Sequence, residues 1–551
     1  MSLSSDDNDK ALLGVAASAT GRTWARRLGL SEERTATALA QRHNVPEVVA
    51  RVLAGRGVTL EAAVHELEPR IRHLLPDPST LMDCDRLVAH LADAIHKGER
   101  IVLFGDYDVD GATSAALVAR TLRALGSDPA IIIPDRISDG YGPSVERMEA
   151  LAQDGVSLVV CLDCGSSAHA PIATANDAGM RVLVIDHHPA EVLAPAAAVV
   201  NPNRNDDLSG LGALAAVGVA FVVMVALVRE MRRRRPDCAA PDLLAYTDLV
   251  ALGTVADVVP LTALNRAFVR AGLQAMRRGG NVGLSALIGA ARIGGPVNAG
   301  HLGFVLGPRI NAGGRIGSSS LGAKLLTTDD PGEAEAIALQ LDALNAERRG
   351  IEKRATEEAM AMAGEGPVIV VAGDWHPGVV GLVASRLKER FRRPAVAIGL
   401  QGETGTGSGR SINGVDLGAA IRAAVDAGLL AKGGGHAMAA GLTVDAARID
   451  ELSAFLTARL GETVDTARAR DALQVDAVVG LGSLDEALAQ ALARFGPWGA
   501  GRPRPVFAVE GAIIAGVQPV GQGDALRGLA ARPGRHAGGC DGVPCKRPAG
   551  R

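Results

Sequence analysis

The sequence predicts an α/β protein whose larger domain is built on a parallel sheet. Three observations carry this. Short apolar runs rich in Val, Ile and Leu (IVLF before Gly105-Asp106, SLVVCL before Asp163, RVLVI before Asp186) each end in a polar loop, as strands buried on both faces do. Amphipathic segments such as GATSAALVARTLRALG fall between them, so strand and helix alternate from residue 99 to about 330. From Pro331 a long helical pattern follows, interrupted inside only by Gly350, before a second series of strands opens at PVIVVAG.

Taken in chain order, 551 residues imply three or four domains at ~100–200 residues each. Residues 1–30 are polar and small and are expected as a disordered tail. Residues 31–98 carry helical patterns around Pro46, Gly57 and Pro76 and read as an N-terminal helical cap. The sheet domain occupies 99–330, the connecting helix 331–365 and the smaller α/β domain 366–462. The uncharged run Leu208–Val228 is long enough for a bilayer at ~20 residues. As a span it would divide Asp106, Asp163 and His187 from Asp257, so it is placed as a glycine- and alanine-rich core helix. Hydrophobic content of 48% and charged content of 21% are those of a globular chain. A net charge of −4 means that any grip on nucleic acid must come from a local groove. Six unevenly spaced cysteines and the lack of a cleavable apolar N-terminus point to a reducing, cytoplasmic setting.

Four acidic clusters carry the chemistry: Asp106, Asp108 and Asp110 in FGDYDVDGATS, Asp163 in VVCLDCGSS, Asp186-His187-His188 in VLVIDHHP, and Asp257 in ALGTVADVVPL. Loops beyond the carboxyl ends of parallel strands converge on one crevice. Carboxylates crowded there repel one another unless cations lie between them. Oxygen ligands with imidazole suit Mn²⁺ or Mg²⁺ better than zinc, and two ions are expected. A single Asp at a strand end is usually a helix cap, and D-x-D-x-D alone could be a calcium loop. Here a helix follows at once without the downstream Glu of such a loop, and capping does not account for four acidic sites with adjacent histidines. Of these, Asp163 at the central strand end is the natural ligand to be shared by both ions.

GDYDVDGATS, LDCGSS, DHH and ADVVPL resemble the four motifs of the DHH phosphoesterase superfamily. IPDRISDGYGPS, FVLGPRINAGGRIG, LDALNAERRGIE, WHPGVVGLVASRL, GSGRSINGVDL and GGGHAMAAG follow in order, and from about residue 45 to 515 the chain is similar to the RecJ family of bacterial single-strand-specific 5′→3′ DNA exonucleases. The resemblance implies a DHH-type sheet domain and a DHH-associated substrate-binding domain. It implies that Asp108, Asp110, His187 and Asp257 fill out the two metal spheres with Asp163, with Asp106 either a further metal ligand or an acceptor behind the ligands. His188 would contact the scissile phosphate or leaving oxygen, with Asp186 orienting the imidazole. Arg136 and Tyr141 match residues at the entrance where single strand meets duplex, and an exposed tyrosine there could stack on bases. Arg309, Asn311 and Arg315, among glycines, would approach an anion. Ser408, Arg410 and His436 resemble phosphate-binding loops. The implied partners are single-stranded DNA, a single-strand-binding protein and a helicase, with no membrane, and the implied enzyme is a monomer serving recombination and mismatch repair. Two alternatives stay open: a DHH phosphodiesterase of short oligoribonucleotides or nucleotides, and a non-catalytic DNA-binding scaffold.

At the C-terminus, RFGPWGAGRPRPVFAVEGAIIAGVQPVG resembles the entry to an oligonucleotide-binding (OB) barrel, with Trp498 where phenylalanine is usual and Arg502 where asparagine is. That barrel needs five strands. After Val520 the alternating apolar pattern stops, so 463–520 is expected as an incomplete OB-like domain and 521–551 as a divergent tail. VFAVEGAIIAGV is then expected to present an unpaired apolar edge.

Overall fold

The computed structural model of the chain describes residues 11–135, 139–520, 525–531 and 545–546. Strand β1 (Trp24–Arg26) opens a smaller unit formed by residues up to 69, 471–498 and those from 502 on. The larger unit comprises residues 70–470 and 499–501.

In the larger unit, β2 (Ile101–Gly105), β3 (Ala130–Ile132), β4 (Leu158–Leu162), β5 (Arg181–Ile185) and β6 (Ala198–Val200) form one parallel sheet in the order β3-β2-β4-β5-β6. Alternate residues serve opposite faces. Leu103, Val160, Leu183 and Val200 join a core with the helices Cys84–Lys97, Val109–Ala124, Ala216–Arg234 and Thr247–Ala256, while Phe104, Val159, Val184 and Val199 join a second core with Val145–Gln153 and His169–Asp177. Burial on both faces explains the unbroken apolar runs, each large side chain contributing roughly 1.5–3 kcal/mol. The chain leaves β2 for β3 on one side and returns to β4 on the other, so the strand order reverses between β2 and β4. The uncharged run contributes the helix Ala216–Arg234, buried in the core along most of its length. Among the described residues no helix is long and apolar enough to cross a membrane.

The connecting helix runs Pro331–Met362, begun by proline in its first turn and by Asp330, whose side chain accepts the Glu333 amide at 2.8 Å. It is tied to the helix Pro377–Phe391 by Glu352, which binds Arg348 at 2.5 Å on its own helix and Arg386 at 3.1 Å on the next. Beyond it β7 (Ile369–Gly373), β8 (Ala395–Gln401), β9 (Thr404–Arg410), β10 (Lys432–His436) and β11 (Ala439–Asp445) form a sheet in the order β10-β11-β9-β8-β7. Only the β7–β8 pair is parallel, with the helix Pro377–Phe391 as its crossover.

The smaller unit departs from the sequence expectation in three ways. Residues 11–30, expected as part of a disordered tail, include β1, which pairs in parallel with β12 (Leu473–Val475). The expected cap at 31–98 straddles a unit boundary at Pro69: Leu39, Val49 and Leu53 of its first two helices pack with Phe495, whereas the helix Cys84–Lys97 lies on the core of the larger unit. Finally, strand pairing does not stop at residue 520. After the short parallel pair β13 (Ala477–Val478) and β14 (Phe507–Ala508), β15 (Ile513–Val520) pairs antiparallel with β16 (Ala525–Ala531), and β16 with β17 (Cys545–Lys546). β15, expected as an unpaired edge, therefore has a partner. Arg502 is buried beside Glu66 at 2.5 Å and stacks its guanidinium over Trp498, 5.5 Å from the ring centroid.

Candidate metal centre

Register brings the acidic motifs together. Gly105, Leu162, Ile185 and Val200 are mutual neighbours across β2, β4, β5 and β6. The residues that follow, Asp106, Asp163, Asp186 and Asn201, therefore form one row along the carboxyl edge of the sheet. The row crosses the β2–β4 reversal, where open α/β sheets bind ligands. Asp108 caps the helix Val109–Ala124 by accepting the amides of Asp110 (2.8 Å) and Gly111 (3.2 Å). A Cβ on Gly111 would lie 2.3 Å from the Asp106 carbonyl oxygen, so this tight loop requires glycine. Asp163 has φ +63°, a left-handed conformation that Asp tolerates and that turns its carboxylate into the crevice. Asp257 does not follow a strand. It ends the helix Thr247–Ala256, which approaches because a Cβ on Gly253 would sit 2.9 Å from Asp110 Oδ1.

His187 Nδ1 lies 3.0 Å from the Leu214 carbonyl, which can only accept, so Nδ1 carries the proton. Nε2 is left facing Asp163 (3.4 Å), Asp257 (3.6 Å) and Asp110 (3.9 Å). Burial, then the charge of His188, lowers the His187 pKa to about 4, which keeps Nε2 available as a ligand. Asp110 accepts the amides of Ala216 (2.6 Å) and Val217 (3.0 Å), the first N–H groups of the apolar helix. Even so, burial followed by the neighbouring carboxylates holds Asp110 and Asp163 well above the usual carboxylate range, and the same causes raise Asp257 to about 7. Asp163 Oδ1 and His187 Nε2 are buried without a hydrogen-bond partner. Three groups bring their ligand atoms within 4.8 Å of one another: Asp106–Asp108–Asp163, Asp110–His187–Asp257 and Asp163–His187–His188. This oxygen-rich donor set with imidazole fits hard divalent ions, whose charge would relieve the repulsion.

Asp186 is buried and is the organiser of the histidine pair. Its Oδ1 accepts the amides of His187 (2.7 Å) and His188 (3.2 Å) and the His188 ring Nδ1 (2.8 Å), and its Oδ2 accepts the Ser166 amide (3.2 Å). Burial alone would raise Asp186, but the His188 contacts outweigh it and hold the carboxyl at about 2. The same contacts outweigh burial at His188 and raise it to about 9, so the imidazolium is the neutral-pH form. Tyr141 donates its hydroxyl to the Asp163 carbonyl at 3.1 Å and lies 3.1 Å from His188 Nδ1, while its ring remains half exposed. Arg136 lies outside the described residues. Two asparagines missed in the sequence support the pair. Asn201 Nδ2 donates to Ser166 Oγ (2.9 Å) and the His188 carbonyl (2.8 Å), and Asn203 Nδ2 donates to the His187 carbonyl (2.6 Å). Their signal was N-P-N directly after the apolar run AAAVV, a fourth polar strand end.

The remaining candidates divide. GPRINAGGR forms a helix, Gly307–Ile316. Arg309 turns to the connecting helix and binds Asp342 at 2.9 Å, and Asn311 is half-buried. Gly314 packs against the Tyr107 carbonyl, where a Cβ would lie 3.0 Å away, and Arg315 donates to the Gly378 carbonyl at 2.8 Å. One turn along that next helix, a Cβ on Gly381 would meet Arg410 Nη2 at 3.0 Å and Ser408 Oγ at 3.2 Å. A line of contacts thus runs from the first acidic motif to β9. Ser408 and Arg410 share one face of β9, with Arg410 Nη1 donating to Ser408 Oγ at 2.8 Å. Register places Arg410, Ala439 and His436 in one row across β9, β11 and β10. Both segments expected as phosphate-binding loops are therefore strands.

With this geometry, comparisons identify the family. The DHH family N-terminal domain matches residues 100–254, the DHHA1 domain 365–462 and the RecJ OB domain 475–537. RecJ of Salmonella typhimurium is 38% identical over 88% of this chain and 89% of its own length, and RecJ of Escherichia coli 39% identical with the same coverage. The chain belongs to the RecJ family. The crystal structure of Thermus thermophilus RecJ matches with a TM-score of 0.76 at 31% identity, covering 94% of this chain and 75% of that one. The RecJ OB match runs to residue 537, past the boundary at 520 that the sequence suggested. It agrees with the pairing of β15 and β16.

Proposed function

We propose that this chain is a divalent-metal-dependent exonuclease that hydrolyses single-stranded DNA from its 5′ end, in recombination and repair, including mismatch repair. The observation that carries it is the convergence of five Asp side chains, Asp106, Asp108, Asp110, Asp163 and Asp257, at the carboxyl edge of the sheet with His187 Nε2 turned into them, in a chain of the RecJ family. The Salmonella and E. coli relatives are single-stranded-DNA-specific exonucleases, and the T. thermophilus structure is a complex with Mn²⁺. In this reading Asp110, His187 and Asp257 would hold one ion and Asp106 and Asp108 the other, and Asp163 would contribute to both. A pair of Mn²⁺ or Mg²⁺ ions supplies an activated water and screens the phosphodiester charge.

The residues do the rest. The Leu214 carbonyl fixes the His187 tautomer, and Asp186 holds His188 as an imidazolium beside Asp163. In this reading that cation binds a non-bridging phosphate oxygen or gives a proton to the leaving oxygen. Tyr141 limits the rotation of His188. Arg315, Ser408, Arg410 and His436 bind a terminal 5′ phosphate, so that an end is recognised rather than an interior bond. Loading by a single-strand-binding protein and a helicase, and action as a cytoplasmic monomer, belong to the same proposal.

Digestion of single-stranded DNA labelled at either end, in Mn²⁺, tests it. A 5′ label should be released as mononucleotide at the first turnover while 3′-labelled strands shorten progressively. Cleavage confined to di- and trinucleotides would favour a small-substrate phosphodiesterase. Binding without hydrolysis in Mn²⁺ would favour the scaffold reading.

A further inference from the structure

We propose that Phe304 is a base-stacking platform for the single strand at the mouth of the acidic cluster, a positioning residue for the reaction proposed above and resting on that reading. The chain is poor in aromatics, at 3%. Among the described residues the strongly exposed ones are Tyr141 at 53% and Phe304 at 87%. An isolated exposed apolar residue would ordinarily need no explanation. Here Tyr141 borders the acidic site, and Phe304 stands on a turn packed against the end of the helix that carries Asp257. Tyr141 touches His188 and the Asp163 carbonyl. Phe304 stands on a single π-helical turn, Leu302–Leu306, and such turns recur at functional sites.

Two glycines press this turn onto the end of the helix that carries Asp257. A Cβ on Gly303 would lie 3.3 Å from Val255 Cγ1, and one on Gly307 would lie 3.4 Å from the Ala256 Cβ and 3.9 Å from Val109 Cγ2. Phe304 is therefore carried beside both Asp257 and the first acidic motif. Val258, next to Asp257, is 69% exposed at φ +64°, a conformation a β-branched residue rarely adopts, and adds apolar surface to this lip. The chemistry suits a nucleobase. The cluster repels the phosphates of an approaching strand until cations are bound, and a π-face holds a base without charge and without reading sequence. A platform on the Asp257 side would hold one nucleotide in register with the ions.

The experiment is binding and hydrolysis of a 5′-phosphorylated oligo-dT by wild type, Phe304→Ala and Phe304→Trp, with a single abasic nucleotide moved along the strand from the 5′ end. Affinity is read by fluorescence anisotropy in Ca²⁺ and turnover in Mn²⁺. Phe304→Ala should raise Kd and KM roughly five- to hundredfold with an unchanged melting temperature, the loss of one stacked base, and Phe304→Trp should restore both. At one position the abasic substrate should weaken wild type as much as the variant does, and there Phe304→Ala should cause no further loss. Equal Kd values for wild type and Phe304→Ala, or a defect undiminished at every abasic position, would overturn the platform. Abasic-sensitive binding without hydrolysis in Mn²⁺ would instead overturn the nuclease reading and leave the platform standing.

Discussion

Asp163 concentrates the cost and the use of the cluster. Its carboxylate is buried, its backbone left-handed, and its Oδ1 has no hydrogen-bond partner. Without cations the fold pays for that charge, and the site is strained in the way functional sites are. Asp163→Asn keeps the shape, since Asn also tolerates left-handed backbone. It should cut hydrolysis by more than about a hundredfold, the upper loss for removing a mere outer-shell partner of a metal. It should also raise the melting temperature in EDTA and lose the Mn²⁺-dependent stabilisation, which wild type should show at roughly 2.7 kcal/mol when Mn²⁺ is at 100 times Kd. A wild-type rate in saturating Mn²⁺ would remove Asp163 from the site. Asn203→Ala should lower metal affinity or activity about 10- to 100-fold by freeing the His187 backbone, and an unaltered Mn²⁺ titration would contradict this.

At the scale of elements, the helix Thr247–Ala256 delivers Asp257 but also buries Asp248, whose Oδ2 has no partner. Burial raises Asp248 from 3.8 to about 6. Below about pH 4 both folded and unfolded states are protonated and no penalty exists. Between about pH 4 and 6 the unfolded carboxyl ionises first, so stability falls as pH rises, and above 6 the full cost remains. Asp248→Asn should therefore stabilise at pH 7–8 by roughly 3 kcal/mol, at about 1.36 kcal/mol per pH unit, and by almost nothing near pH 4. Urea unfolding across that range checks it, and a pH-independent difference would show that ionisation is not the cause. In the smaller unit, the Trp498 and Arg502 departures make one another intelligible, because the guanidinium stacks on the indole and pairs with Glu66. Arg502→Ala removes a buried guanidinium that pairs with the partly buried Glu66 and stacks on Trp498, and should cost about 1.5–3 kcal/mol, measured by denaturant unfolding. A loss under 1 kcal/mol would mean that water reaches Glu66.

At the scale of the molecule, a chain of net charge −4 holds a polyanion only through local cations. Arg410, at the end of a contact line that starts from Tyr107, is one of them by proposal. Arg410→Ala should weaken single-strand binding equally for all sequences and lower the salt slope by about 0.7, one phosphate on a single strand. An unchanged slope would show that Arg410 does not contact a phosphate of the strand.

The local sequence alone determined the parallel strands, the polar residues at their ends and the long connecting helix, because two-face burial, loop chemistry and helical periodicity are short-range signals. The acidic motifs were legible for the same reason: ligand identity is written in residue type. Tertiary structure alone decided which groups face one another. Arg309 pairs with Asp342, the Tyr141 hydroxyl lies beside His188, and Asp257 arrived on a helix because Gly253 admits it. Asn201 and Asn203 matter only once register aligns Val200 with Ile185. Pairings of β1 with β12, and of β15 with β16, likewise depend on a partner strand supplied elsewhere in the chain, since an edge is paired or exposed according to that neighbour and not to its own pattern.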